Sequence, residues 1–237
     1  MKKLGLIGGT GPESTVEYYQ AIIAKFQEKT GNSEALPEFL IYSINMYKIF
    51  DLLESEKMDE LIDYLASAVH QLEKAGAEFA VLAANTPHIV FDQVQEKAGI
   101  PLISIVEETV ERTRRLDIGK IGLIGTKFTM ENDFFIRPFA ADKIEVQMPN
   151  EGEQQYIHEK IVKELEKGIV RQETKDEFLN IISKMEQREG IEGVILGCTE
   201  LPMLIKTGDT EIHQLNTTEI HIEAIVEAII GNKKLGK

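Results

Sequence analysis

Cys198 is the only thiol in 237 residues, and it stands in the run Gly197-Cys-Thr-Glu-Leu-Pro202. A thiol can give or take a proton at carbon when its pKa is tuned to the working pH. The run follows the apolar residues Val194-Ile-Leu196 and precedes an expected helix. A helix N-terminus at that place favours the thiolate. Glu200, two residues on, can act nearby as a proton acceptor or as an orienting group. A free cysteine at a strand end can also be a small buried hydrophobe. The strand-helix junction tips the reading towards chemistry.

The same design occurs earlier in the chain with its chemistry missing. Leu4-Gly-Leu-Ile-Gly-Gly-Thr-Gly11 parallels Ile121-Gly-Leu-Ile-Gly-Thr126, and Val81-Leu-Ala-Ala-Asn-Thr-Pro-His88 parallels Val194-Ile-Leu-Gly-Cys-Thr-Glu-Leu-Pro202. Gly8 to Ala84 spans 76 positions and Gly125 to Cys198 spans 73. Ala84 therefore holds in the first half the place that Cys198 holds in the second. Two such loops could serve the two sides of one substrate carbon, but alanine carries no proton.

Other loops offer binding groups. Residues 8–15, Gly-Gly-Thr-Gly-Pro-Glu-Ser-Thr, follow a strand and open a helix. Their backbone N–H groups suit a carboxylate or phosphate, with a plain glycine turn and a Ser/Thr helix cap as the equal alternative. The spacing is neither that of a dinucleotide-binding loop nor that of a P-loop. Asn85 and Thr86 can hydrogen-bond a carboxylate or an amine, or simply cap a helix. His88 could be a base, but a single histidine at a helix start is more often structural. His213 and His221 have no second ligand pair at metal-binding spacing, so no metal is expected.

The elements that must position these loops alternate. Strands are expected at 4–7, 39–43, 79–83, 102–104, 120–124, 144–147, 194–196 and 212–215. Helices are expected near 14–29, 57–75, 90–98, 106–115, 131–139, 153–167, 174–189 and 218–230. Leu61, Leu65, Ala68, Val69 and Leu72 recur at helical spacing and give their helix one buried face. This is an α/β pattern: parallel sheets covered by helices, with reactive loops at strand C-termini. The segments 8–14, 43–48, 84–88, 125–130 and 197–202 fall at such ends. The expected division is a first domain at 1–116, a second at 117–215, and a C-terminal helix in 216–237 that could return to the first.

The bulk properties limit the function. Apolar content of 43% and charged content of 28% are those of a soluble globular protein. A net charge of -14 argues against a nucleic-acid partner, which would need a basic surface. No apolar run reaches the roughly 20 residues of a membrane span, and the N-terminal apolar stretch is too short for a secretory signal. A cytoplasmic location and a reduced thiol are expected.

Taken together, these motifs resemble the aspartate/glutamate racemase family of cofactor-independent amino-acid racemases. The resemblance runs nearly end to end. It rests on residues 8–15, on Asn85-Thr86 with His88, on Gly125-Thr126 with Thr129-Met130, and on residues 197–202. Asn216-Thr-Thr-Glu-Ile-His221 is similar to the family's Asp-Thr-Thr-x-Ile-His. The resemblance implies two pseudo-symmetric Rossmann-like domains, with the active site in the cleft between them. It implies two thiols flanking the α-carbon, no cofactor, a small amino-acid substrate (aspartate or glutamate) and a homodimer. Cys198 is then the surviving acid/base, and Ala84 the position of the missing first thiol. Asn85, Thr86, Thr126 and Thr199 are implied ligand-binding residues, with Thr10 and Ser14 acting through the first glycine loop. Lys48 and Lys163 are candidates for a side-chain carboxylate. Ala84 and Asn216 depart from the family pattern. The departure at Ala84 keeps two rivals open: a one-thiol lyase or isomerase similar to arylmalonate decarboxylase, and an inactive amino-acid-binding protein.

Overall fold

The computed structural model describes residues 1–236. The chain runs β1 (Leu4–Gly8), α1 (Pro12–Thr30), β2 (Phe39–Ser43), α2 (Met46–Glu54), α3 (Met58–Lys74), β3 (Phe79–Leu82), a 3-10 turn (Thr86–Val90), α4 (Phe91–Lys97), β4 (Leu102–Ile103) and α5 (Ile105–Arg115). It continues as β5 (Lys120–Ile124), α6 (Lys127–Glu131), α7 (Asp133–Ala141), β6 (Glu145–Gln147), α8 (Glu151–Lys163), a 3-10 turn (Leu165–Lys167), α9 (Gln172–Glu189), β7 (Gly193–Leu196), α10 (Leu201–Leu204), β8 (His213–Asn216) and α11 (Thr217–Ile230). Two compact units result. One comprises residues 1–108 and those from 221 onward; the other comprises 109–220.

Each unit holds a four-stranded parallel sheet, in the order β2-β1-β3-β4 and β6-β5-β7-β8. The two orders are the same pattern, so the sequence repeat is a repeat of topology. In the first unit strand alternation sends side chains to two apolar layers. Ile7, Ala80, Leu82 and Leu102 pack with Leu61, Leu65, Val69 and Leu72 of α3 and with Ile49 and Leu52 of α2. Leu4, Leu6, Phe79, Val81 and Ile103 pack with Tyr18, Ile22 and Phe26 of α1 and with Ile222, Ile225, Val226 and Ile229 of α11. Full burial of each such side chain stabilises by about 1.5–3 kcal/mol, so the helices are held by the sheet faces they cover. In the second unit Ile124, Val194 and Leu196 pack with Ile157 and Ile161 of α8 and with Phe178, Ile181, Ile182 and Met185 of α9.

The expected α/β class holds, and all eight strands form where the apolar runs lie. Three helical expectations need correction. The segment 43–48, read as loop, enters α2 at Met46, with Asn45 accepting from the Tyr47 N–H as its cap. The helix expected at 131–139 is two helices, because Asn132 is extended (φ -99, ψ 142) and breaks the run. The helix expected at 153–167 starts earlier, at Glu151, where Asn150 and Glu153 close a reciprocal capping box.

Candidate active site

In the first unit the glycine loop is closed on itself by Thr15. Its Oγ1 accepts from the Gly9 N–H at 2.8 Å and donates to the Gly11 carbonyl at 3.1 Å. Gly9 has φ +87, and a Cβ there would run into the Ile44 carbonyl. A Cβ at Gly8 would run into the Thr15 side chain. These contacts explain the glycines without a ligand, and they take the Gly9 N–H out of any anion cradle. The motif alone does not single out Thr15; its place one turn after Gly11 is the available signal. Ser14 is buried and Thr10 is half-buried. The expected Ser/Thr cap of α1 is absent, since Gly11 occupies the cap position.

The Ile44 N–H donates to the Gly8 carbonyl at 2.9 Å, which joins the loop after β2 to the glycine loop. The Asn45 N–H donates to the Tyr64 hydroxyl at 2.9 Å, and Lys48 Nζ lies 4.1 Å from the centre of the Tyr64 ring. That cation–π contact orients an exposed ammonium. Among the described residues no carboxylate pairs with it.

The loop after β3 starts where the Ala83 N–H donates to the Ile7 carbonyl at 3.0 Å. The loop after β7 starts where the Gly197 N–H donates to the Ile124 carbonyl at 2.8 Å. Ile7 is level with Leu82 in one sheet, and Ile124 with Leu196 in the other. The structural repeat therefore equates Ala83 with Gly197 and Ala84 with Cys198. Their exposures also match, 8% for Ala84 and 9% for Cys198. Asn85 is buried and Thr86 half-buried at the start of the 3-10 turn. The Asn85 side chain makes no cap bond to that turn, so the capping explanation fails. His88 is no base: it is buried, both ring nitrogens meet backbone groups, and burial pushes its pKa down to about 4.

In the second unit two glycines bring two loops together. A Cβ on Gly125 would stand 3.2 Å from the Gly197 carbonyl, and one on Gly197 would stand 3.0 Å from the Ile124 carbonyl. Thr126 thus lies beside the Cys198 loop. Its Oγ1 accepts weakly from the Thr129 N–H at 3.4 Å as the cap of α6. Thr217 Oγ1 donates to the Leu196 carbonyl at 3.0 Å and braces the strand end before Gly197.

Cys198 Sγ donates to Glu200 Oε2 at 2.8 Å, and the Thr199 hydroxyl donates to the same oxygen at 2.9 Å. Burial, followed by the Glu200 charge, raises the Cys198 pKa well above the ordinary thiol value. The expected help from a helix N-terminus towards the thiolate is overturned. The helix there, α10, is one turn of four residues, and a carboxylate stands against the sulfur. The resting group is a thiol held by a carboxylate. Glu166 adds a second negative field to the sulfur, and no motif pointed to it. Lys163 is exposed and paired with Glu159 at 2.6 Å, one helical turn away.

Residues 7–225 match the sequence profile of the family described as Asp/Glu/hydantoin racemase. The chain is 24% identical over 230 residues to the broad specificity amino-acid racemase RacX of Bacillus subtilis, covering 96% of this chain and 98% of that one. It is similar to the crystal structure of an aspartate racemase homologue from Pyrococcus horikoshii, with 39% identity, a TM-score of 0.87, and 97% and 100% of the two chains covered. Arylmalonate decarboxylase shares the fold at 11% identity and a TM-score of 0.57, over 100% of this chain and 96% of that one.

Proposed function

The chain belongs to the Asp/Glu/hydantoin racemase family, and we propose that Cys198 and Glu200 together carry its acid-base step. Members of this group are isomerases that work without pyridoxal phosphate. The observation behind the proposal is the Cys198–Glu200 hydrogen bond of 2.8 Å at the end of β7. In one direction the thiol gives its proton to the developing carbanion. In the other, Glu200 first takes the thiol proton, and the thiolate then removes the substrate α-proton. Each transfer conserves charge within the dyad, the substrate and the proton. Thr126, Thr199, Asn85 and Thr86 bind the substrate carboxylate and amine in this reading, with Thr10 and Ser14 at the first glycine loop. The substrate is an acidic amino acid, its side-chain carboxylate met by Lys48. Lys163, already paired with Glu159, would first have to leave its partner.

Inversion needs a second proton carrier on the opposite face, and Ala84 is not one. Water or the Thr86 hydroxyl takes that part in the chain as it stands. Ala84→Cys supplies a thiol and is expected to raise racemisation by about 10²–10⁴-fold if chemistry limits the rate; Cys198→Ala is expected to abolish it. The assay is α-proton exchange in deuterated water with aspartate, glutamate and a neutral panel, followed by chiral analysis. Unchanged racemisation in folded Ala84→Cys would overturn the two-base reading.

Ala84 itself carries a second reading, protonation of one face only, as in a one-thiol lyase or isomerase. Exchange with retained configuration, or release of carbon dioxide from a malonate, would favour it. No cofactor is proposed, so activity should survive a chelator. A cytoplasmic homodimer completes the proposal. No described helix is long and apolar enough to cross a membrane. Exposed Val16, Tyr19, Ile41, Tyr42 and Tyr47 on α1, β2 and α2 offer apolar surface for a second copy. Sedimentation would test the dimer, with Tyr42→Lys expected to weaken it.

A further inference from the structure

His88 and His221 are sealed inside the first unit, 5% and 0% exposed, and the chemistry above uses neither. Backbone groups fix where their protons lie. The Ile105 N–H, 3.2 Å from His88 Nε2, can only donate, so that nitrogen carries the lone pair. The neutral ring then has its proton on Nδ1, 2.9 Å from the Ala84 carbonyl, which can only accept. The Ile103 carbonyl, 3.1 Å from His221 Nε2, demands the other tautomer. His221 Nδ1 therefore accepts from the Tyr18 hydroxyl at 2.9 Å.

The two rings grip the same short segment. His221 holds Ile103 and His88 holds Ile105, on either side of Ser104. The rings meet edge-on with centroids 6.5 Å apart, and Phe91 stacks flat on His88 at 5.1 Å. A connected path thus leads from α1, through α11 and the end of β4, to the carbonyl of Ala84. Packing alone does not call for it. An apolar ring would stack on Phe91 equally well, and two buried ring nitrogens are costly unless both are bonded. Both are bonded, and one bond ends on the loop that carries Asn85 and Thr86. The matching carbonyl of the second unit is held differently: four residues after Cys198 stands Pro202, and the Cys198 carbonyl accepts from the Leu201 N–H at 3.2 Å within its own loop.

We propose that His88 is a positioning residue, which holds the Ala84–Asn85 peptide against the end of β4 and so sets the aim of the Asn85 and Thr86 side chains. The inference rests on the racemase reading, in which those side chains hold the substrate. His88 acts through them and touches no reacting atom.

Three substitutions separate this from a merely structural role. His88→Asn keeps a donor where Nδ1 stands. His88→Gln places its amide nearer the Nε2 position. His88→Phe keeps the stack on Phe91 and has neither bond. Each is compared with the parent for thermal unfolding, for the kcat and KM of α-proton exchange in deuterated water with aspartate and glutamate, and for amide hydrogen exchange across residues 84–88. In His88→Phe the KM is expected to rise about tenfold, the effect of one lost hydrogen bond. Its amides should exchange faster by a similar factor, and His88→Asn should recover most of both. Parent-like KM and protection in His88→Phe would overturn the inference, as would His88→Asn behaving no better than His88→Phe. If His88→Phe fails to fold, Asn against Gln decides, and equal behaviour overturns it. If the parent exchanges no amino acid, the racemase reading fails by itself. Amide exchange then decides the brace: faster exchange in Phe and Gln but not in Asn supports it, and equal protection overturns it.

Discussion

Acidification is expected to destabilise this protein chiefly through two buried imidazoles. Burial lowers the pKa of His88 from 6.5 to about 4 and that of His221 from 6.5 to about 3. For His221 the neighbouring His88 adds to the effect. The sign follows from proton counting. Above pH 6.5 neither ring is charged in either state, and their contribution to stability is fully present. As the pH falls below 6.5 the unfolded chain takes up two protons that the folded chain refuses, so unfolding becomes easier. The slope approaches about 2.7 kcal/mol per pH unit, two protons at about 1.36 each. By pH 4.5 the loss amounts to about 5 kcal/mol, which is comparable with the whole stability of many domains, roughly 5–15 kcal/mol. Below about pH 4 the folded His88 also binds its proton and its share of the slope ends. Urea unfolding at pH 7.5, 6.5, 5.5 and 4.5 reads the effect directly. Imidazole NMR shifts show which ring titrates. Each of His88→Asn and His221→Gln removes one proton from the linkage and should halve the slope. A urea midpoint that does not move between pH 7.5 and 4.5, or full slope retained in both variants, would refute the reasoning.

Other expectations follow from the loops. Glu200→Gln removes a charge that raises the Cys198 pKa, so alkylation of Cys198 by iodoacetamide at neutral pH should quicken; slower alkylation would show that this charge does not govern the thiol. Gly197→Ala places a Cβ 2.8 Å from Leu123 Cδ1 and 3.0 Å from the Ile124 carbonyl. It should cost about 1–3 kcal/mol in thermal unfolding and depress activity, whereas an unchanged melting temperature would show that the two glycine loops are not closely packed. Thr15→Val leaves the Gly9 N–H without its acceptor. A loss of about 1–2 kcal/mol is expected, and Thr15→Ser should recover most of it.

The sheets were legible because every strand except β2, β6 and β8, which lie at sheet edges, is buried nearly throughout, leaving short apolar runs between polar turns. The match of Ala84 to Cys198 was legible because the spacings from Gly8 and Gly125 are nearly equal, and each residue sits two positions beyond the end of its apolar strand, Leu82 or Leu196. Helix α2 was missed although Asn45 caps it and Ile49 and Leu52 bury one side of it. Its position directly after a strand reads as a loop and masks the local helical pattern. The state of Cys198 was not legible either. Strand-helix position argued for a thiolate, but burial and a carboxylate 2.8 Å away decide for the thiol. Nor could spacing show that His88, His221 and Tyr18 meet, since 203 positions separate the hydroxyl from the ring it reaches.

The first unit is built from two separate stretches, and this has a consequence for synthesis on the ribosome. Leu4, Leu6, Phe79, Val81 and Ile103 share their apolar layer with Ile222, Ile225, Val226 and Ile229. All of 109–220, the whole second unit, must be translated before those four residues exist. The earlier strands therefore wait with one greasy side open while a complete unit downstream can already fold. Completion order runs opposite to synthesis order. A nascent chain with residues 1–220 clear of the ribosome should show a protease-resistant second unit attached to a susceptible first one. It should also be the form most prone to be captured by chaperones.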